Sequence, residues 1–199
     1  MKYFKYLTLF ILTNLLLAQS KTESTWLFDK SHSKIGFSVK HLMITEVEGF
    51  FKDYDGKVVT NREDFENAQI EFIAETASIF TDNERRDEHL RSNDFFNSEN
   101  YPKMTFRSKS FKKVGKNKYK LTGDLTIREI TKPITLDVIY NGSTKDPWGN
   151  TKAGFTVTGQ LNRFDYNLKW NALTELGGAV VDRIVKLKIN VQLVKQNSL

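Results

Sequence analysis

The run VKLKINVQL, from Val185 to Leu193, sets Val185, Leu187, Ile189, Val191 and Leu193 on one side of an extended chain and Lys186, Lys188, Asn190 and Gln192 on the other. Side chains alternate across a strand with a period of two, so the pattern predicts a strand with one apolar face and one face in water. The same period recurs upstream. Ala153, Phe155, Val157, Gly159 and Leu161 form one set, and Ile134, Leu136, Val138 and Tyr140 another. Tyr119, Leu121, Gly123, Leu125 and Ile127 oppose Lys118, Lys120, Thr122, Asp124 and Thr126, while Met104, Phe106 and Ser108 oppose Thr105, Arg107 and Lys109. Ala68, Ile70, Phe72 and Ala74 give an earlier strand, and Ile35, Phe37 and Val39 share a face on a first strand that starts at Trp26 and bends near Ser31, His32 and Ser33. Val47, Gly49 and Phe51 share a face on the segment that follows, and Asp55-Gly56 reads as the turn of a hairpin leading to Lys57–Thr60. Asn61–Glu66 is expected to make one helical turn, and Asn141–Asn150 a loop.

About eight strands joined mostly by short turns, each with one polar face, predict an antiparallel sheet rather than a parallel one with helical crossovers. Closure removes the edges that would otherwise aggregate, so the expected fold is all-β, an eight-stranded antiparallel β-barrel. One stretch breaks the pattern. In TDNERRDEHLRSNDFFNSENYPKMTFR, Thr81 to Arg107, charges crowd at helical spacing, which predicts a short helical insert over about residues 82–92 with Thr81 and Glu84 as its capping pair. Arg85, His89 and Ser92 fall on one face of it, with Leu90, Phe95 and Phe96 as apolar anchors. That face either looks into a pocket mouth or is simply solvated. Arg85, His89 and Arg91 are the rim candidates.

Lys2 and Lys5 precede an apolar run from Tyr6 to Ala18, and Ala18 with Ser20 offers small residues where a signal peptidase reads. Residues 1–20 are therefore expected to be a signal peptide and 21–199 a single barrel domain, in a periplasmic or secreted setting. The run is shorter than the roughly 20 apolar residues that a membrane-crossing helix needs. There is no cysteine among the 199 residues, which excludes disulfide stapling and a lipidated N-terminal cysteine. Loss of the leader lowers the net charge from +6 to +4, a mild bias toward anionic surfaces.

Barrels of this size are either filled by their own side chains or hold one slender ligand. Small inward residues, Gly49, Ala68, Ala74, Ser108, Gly123, Ala153 and Gly159, alternate with phenylalanines, which is compatible with an apolar cavity and equally with interdigitated filling. By alternation the lining candidates are Phe37, Val39, Phe72, Met104, Phe106, Leu121, Leu125, Leu136, Val138, Phe155 and Val157. A cavity so lined favours a long hydrocarbon with its polar head at the rim.

Several longer motifs run in a fixed order: Ile35-Gly36-Phe37-Ser38-Val39-Lys40-His41, Gly49-Phe50-Phe51, Arg86-Asp87-Glu88-His89-Leu90-Arg91-Ser92 with Asp94-Phe95-Phe96, Tyr101-Pro102-Lys103-Met104-Thr105-Phe106, Gly123-Asp124-Leu125-Thr126-Ile127-Arg128 with Thr131-Lys132-Pro133, and Asn162-Arg163 with Asp165. Together they span nearly all of the chain after the leader and closely resemble the YceI-like proteins. The resemblance implies an extended lipocalin-like barrel that binds an isoprenoid lipid, either a polyisoprenoid or an isoprenoid quinone, for storage or transport in the periplasm. It implies no enzyme and no cofactor beyond that lipid. Two departures concern turns: Glu129 stands where the family usually has glycine after the arginine, and Asn167 stands where glycine often follows Asn-Arg-x-Asp-Phe. Asparagine tolerates the left-handed region; glutamate is less at home there.

Other chemistry finds little support. His32, His41 and His89 have no metal-binding spacing, there is no Gly-x-Ser-x-Gly nucleophile turn, and Asp87 and Glu88 diverge on a helix, so no catalytic residue and no metal is expected. Lys103 to Lys120 holds eight cations and no acid, which offers the alternative of an interaction module docking on an anionic membrane through a basic hairpin, with a filled barrel. No nucleic-acid partner is expected, since no exposed aromatic platform accompanies those charges. A homodimer is compatible with the sequence.

Overall fold

The computed structural model describes residues 23–172 and 180–196, so the expected leader at 1–20 lies outside the described residues. Among them are eleven strands and one α-helix. The strands are β1 (Ser24–Phe28), β2 (Lys34–His41), β3 (Thr45–Phe51), β4 (Tyr54–Thr60), β5 (Gln69–Glu75), β6 (Ile79–Phe80), β7 (Lys103–Gly115), β8 (Lys118–Ile127), β9 (Ile130–Lys145), β10 (Thr151–Asn162) and β11 (Val181–Lys195), and helix α1 is Glu84–Arg91. All pairings are antiparallel, and the order β1-β4-β5-β7-β8-β9-β10-β11 returns to β1, a closed ring of eight strands. The all-β, eight-stranded barrel with a short helical insert is therefore what the chain forms.

The extra strands arise from bends. β1 and β2 are one strand broken at Asp29–Ser33, β3 and β4 are broken at Lys52-Asp53, and β5 and β6 at the 3-10 turn Thr76–Ser78. Long β11 joins the halves: Val181–Asn190 pairs with β2 and Leu193–Lys195 with β1, while its other edge pairs with β10 along nearly its whole length. Thus β2, β3 and β6 form a flap that extends one end of the ring.

Asp55-Gly56 is not a turn but lies inside β4, and the hairpin turn is instead at Leu42–Ile44. Gly56 is required by close approach, because a Cβ there would stand 2.5 Å from the Glu71 carbonyl oxygen and 2.8 Å from the Phe28 ring. Asn61–Glu66 makes turns rather than a helical turn, and β9 continues to Lys145, shortening the expected loop. The helix starts two residues later than expected. Asn83, extended at φ −153°, accepts the Arg86 N–H, whereas Thr81 is occupied by Asp87 and Arg86.

One end of the barrel is shut. Phe65, 2% exposed, plugs it from the β4–β5 loop, with ring centroids 5.0 Å from Trp26, 5.0 Å from Phe155 and 5.6 Å from Tyr140. The Tyr119 hydroxyl donates to the Asp64 carbonyl at 2.6 Å and the Asn67 N–H to that of Phe111 at 2.8 Å, which fixes the plug's backbone.

Candidate functional site

The interior is not filled. A cavity of about 420 Å³ runs from the Phe65 floor to the end where α1, the β2–β3 hairpin and the start of β11 meet, and its wall is almost wholly apolar. This overturns the filled-barrel alternative. All eleven lining candidates, Phe37, Val39, Phe72, Met104, Phe106, Leu121, Leu125, Leu136, Val138, Phe155 and Val157, face it. Sequence alternation missed the contributions of Phe65, Leu168, Trp170 and Val180, which reach the wall from loops or strand ends where no period of two operates.

Room along the axis does not come from small residues standing open. A Cβ on Gly123 would meet the Phe106 ring at 2.5 Å, one on Gly49 the Phe37 ring at 2.6 Å, and one on Gly159 the Leu136 side chain at 2.5 Å. The large side chains fold over glycines in the wall, and the space they would otherwise fill stays empty.

Among the described residues, α1 gives the mouth a polar arc. α1 sets Arg86 and His89 on the cavity with Thr81 beside them. Arg86 Nε donates to Thr81 Oγ1 at 2.7 Å and its Nη2 to the Thr81 carbonyl at 2.6 Å, while the buried Asp87 carboxylate accepts from the Thr81 N–H at 2.9 Å. This network turns Arg86 inward. His89 Nε2 lies 2.9 Å from Asp94 Oδ2, and its ring meets Trp170 edge to face at 4.8 Å. Of the three rim candidates only His89 lines the cavity. Arg85 points to a shallow outer depression with Asn83, and Arg91 is held away by the Ala77 carbonyl at 3.0 Å and Glu84 at 3.1 Å. The inward cation is Arg86, one residue from the predicted Arg85, because Asp87 and Thr81 fix the helix's rotation.

Arg163 is a further cavity residue that periodicity missed, although it stands in a quoted motif. It is 3% exposed, lines the cavity, and donates to the carbonyls of Asp182, Leu168, Trp170 and Val181, tying the 3-10 turn Arg163–Tyr166 and the following loop to the start of β11. Burial pulls its pKa below the usual guanidinium range. Arg128 does similar work from the β8–β9 turn: its Nη1 donates to the carbonyls of Phe95 at 2.9 Å and Asn167 at 3.1 Å, pinning the segment after α1 against that loop. The three histidines sit apart. His32 is in the β1–β2 bend beside Asp29, His41 ends β2, and His89 is on α1.

The basic hairpin is largely neutralised. Five of its eight cations reach carboxylates: Lys103 to Glu75, Arg107 to Glu71, Lys109 to Asp124, Lys113 to Asp64 and Lys120 to Asp137. Its tip lies at the floor end, away from the mouth.

Comparison with known proteins agrees with this architecture. A UPF0312 protein of Staphylococcus aureus is 39% identical over 166 residues, covering 83% of this chain and 94% of its own. A YceI protein of Campylobacter jejuni, solved crystallographically, is 33% identical and superposes with a TM-score of 0.68 over 85% of this chain and 96% of that one. A polyisoprenoid binding domain from Saccharophagus degradans shares the fold, with a TM-score of 0.59 at 12% identity over 86% of this chain and 98% of its own. The family described as YceI-like domain matches residues 26–193. The chain belongs to the YceI-like family.

Proposed function

We propose that the protein binds an isoprenoid lipid, a polyisoprenoid or an isoprenoid quinone, inside the barrel, and stores or carries it without chemical change in a periplasmic or secreted setting. The observation that carries this reading is the apolar cavity of about 420 Å³ with its polar arc at one end. Such a space takes a run of chain carbons. Each contributes about 0.8 kcal/mol on leaving water, enough to hold a chain after the cost of ordering it. The S. degradans domain is described as polyisoprenoid binding, which supports the choice of chain. Arg86, with donors beyond the two spent on Thr81, and His89 are placed to meet an oxygen of the head group. Binding without turnover is favoured because the polar groups at the mouth are engaged structurally: Thr81 with Asp87 and Arg86, Arg163 with four carbonyls, His89 with Asp94.

Native mass spectrometry and solvent extraction of protein purified from its own host test the proposal. An isoprenoid lipid recovered at one per chain is expected, as is its loss in a Leu136→Trp variant that blocks the axis. Protein that is recovered empty and takes up neither polyprenols nor quinones would sink it.

A further inference from the structure

The turn between β2 and β3 carries Leu42, Met43 and Ile44, exposed to 39%, 53% and 81%. Turns of this kind are ordinarily built from glycine or asparagine, because the backbone must enter the left-handed region. Leu42 and Met43 do so at φ 50° and 63°, against the preference of residues that carry side chains. The turn is nevertheless held: the Leu42 N–H donates to the Val180 carbonyl at 2.9 Å and the Ile44 N–H to that of His41 at 3.1 Å. Strain and exposure are both tolerated at a point where these side chains add nothing to the buried core.

The same hairpin supplies Val39, His41 and Val47 to the cavity wall, so the apolar tip stands on the rim that a chain must cross. Beside the hairpin, Lys186 is paired to Glu46 at 2.5 Å and Lys188 to Glu48 at 2.8 Å, while Lys40 is exposed. The cations of the basic hairpin's tip, Lys112, Lys116 and Lys118, lie at the opposite end by the Phe65 floor. Among the described residues no helix is long and apolar enough to cross a membrane.

We infer that Leu42, Met43 and Ile44 dip into the hydrocarbon of a lipid bilayer and seat the cavity mouth against it. An apolar chain then passes from bilayer to barrel without crossing water. The inference rests on the lipid-binding reading for its cargo. A bilayer is the occupant because the tip is three consecutive exposed apolar residues of a turn, continuous with an apolar passage. Since Lys186 and Lys188 are spent on Glu46 and Glu48, docking rests on the apolar tip and depends little on anionic lipid.

The test is cosedimentation with phosphatidylcholine vesicles, with and without anionic phosphatidylglycerol. Three proteins are compared: wild type, Leu42→Ser/Met43→Ser/Ile44→Ser, and a floor-end control, Lys112→Glu/Lys116→Glu/Trp148→Ser, in which Trp148 is the 83% exposed residue of the β9–β10 turn. The tip variant should partition about tenfold more weakly or worse, since three apolar side chains no longer leave water on docking. The control should match wild type, and anionic lipid should change little. In a fourth protein, Ile44→Trp, the tip stays apolar, and the fluorescence added by the new indole should be quenched by brominated phosphatidylcholine. Wild type that ignores neutral vesicles, equal partitioning of the tip variant, loss confined to the floor-end control, or absence of quenching in Ile44→Trp would each overturn the inference. Uptake of geranylgeraniol in vesicle-free solution is followed in parallel. If uptake is absent while the tip still governs sedimentation, the cargo reading fails and docking stands.

Discussion

Glu129 holds φ at 59° and Arg128 at 49° in the two-residue turn between β8 and β9, both in the left-handed region. Arg128 is compensated by its clamp on the Phe95 and Asn167 carbonyls, whereas the Glu129 side chain is exposed and the described residues give it no hydrogen-bond or ion-pair partner. Relief of the left-handed penalty outweighs glycine's larger entropy loss, so Glu129→Gly should stabilise by about 1 kcal/mol and raise Tm by about 2–4 °C in thermal unfolding. The turn that the sequence put in doubt thus forms, at a cost. At Asn167, φ 61°, the expected tolerance of asparagine is what is found. At this scale the lining was legible because a period of two assigns each strand residue to a face. The rim was not. A helix's rotation depends on contacts such as Asp87 with Thr81, which are six residues apart and on different elements, so no local pattern distinguishes Arg85 from Arg86.

Between elements, Asp29 latches the β1–β2 bend to β10 and β11. Its Oδ2 accepts from Lys152 Nζ at 2.9 Å and Gln192 Nε2 at 2.8 Å, with His32 Nδ1 at 3.0 Å, and its side chain is 11% exposed. Desolvation alone would raise its pKa, but the donors from Lys152, Gln192 and His32 prevail and hold it well below the usual carboxylate range. A carboxyl lowered on folding stabilises fully above its unfolded pKa of about 3.9 and stops doing so as the pH falls toward the folded value. Asp29→Asn should therefore cost about 2–4 kcal/mol in urea unfolding at pH 7, since Lys152 loses its nearer carboxylate and retains Asp146 at 3.8 Å. The gap from wild type should narrow below about pH 4. A constant gap from pH 7 to pH 3 would count against the latch. The bend itself could be read from Ser31-His32-Ser33, but not its partners, which lie more than a hundred residues away. Asp55-Gly56 misled for the converse reason: a glycine placed for tight packing against Phe28 and β5 looks, in one dimension, like a glycine placed for a turn.

For the whole molecule, closure was legible and hollowness was not. Counting half-apolar strands leads to a ring, but alternation of small and large side chains fits a filled barrel as well as an open one, and only ring orientations over Gly49 and Gly123 decide between them. The floor is a global feature too. Phe65→Ala should lose about 3–5 kcal/mol and leave the barrel open at both ends. Faster release of bound lipid than from wild type, measured by stopped-flow transfer to acceptor vesicles, is the expected result, and unchanged release would show that the floor does not limit escape.

The two-sided pairing of β11 carries a consequence for how the molecule comes into being. Trp26 finds its neighbour at Lys195, so the ring can shut only after every strand between them has been synthesised. Contacts this distant along the sequence raise contact order and slow folding. Until β11 is made, the facing edges of β1, β2 and β10 have no strand to close on, so the ring stays open through synthesis of the first ten strands.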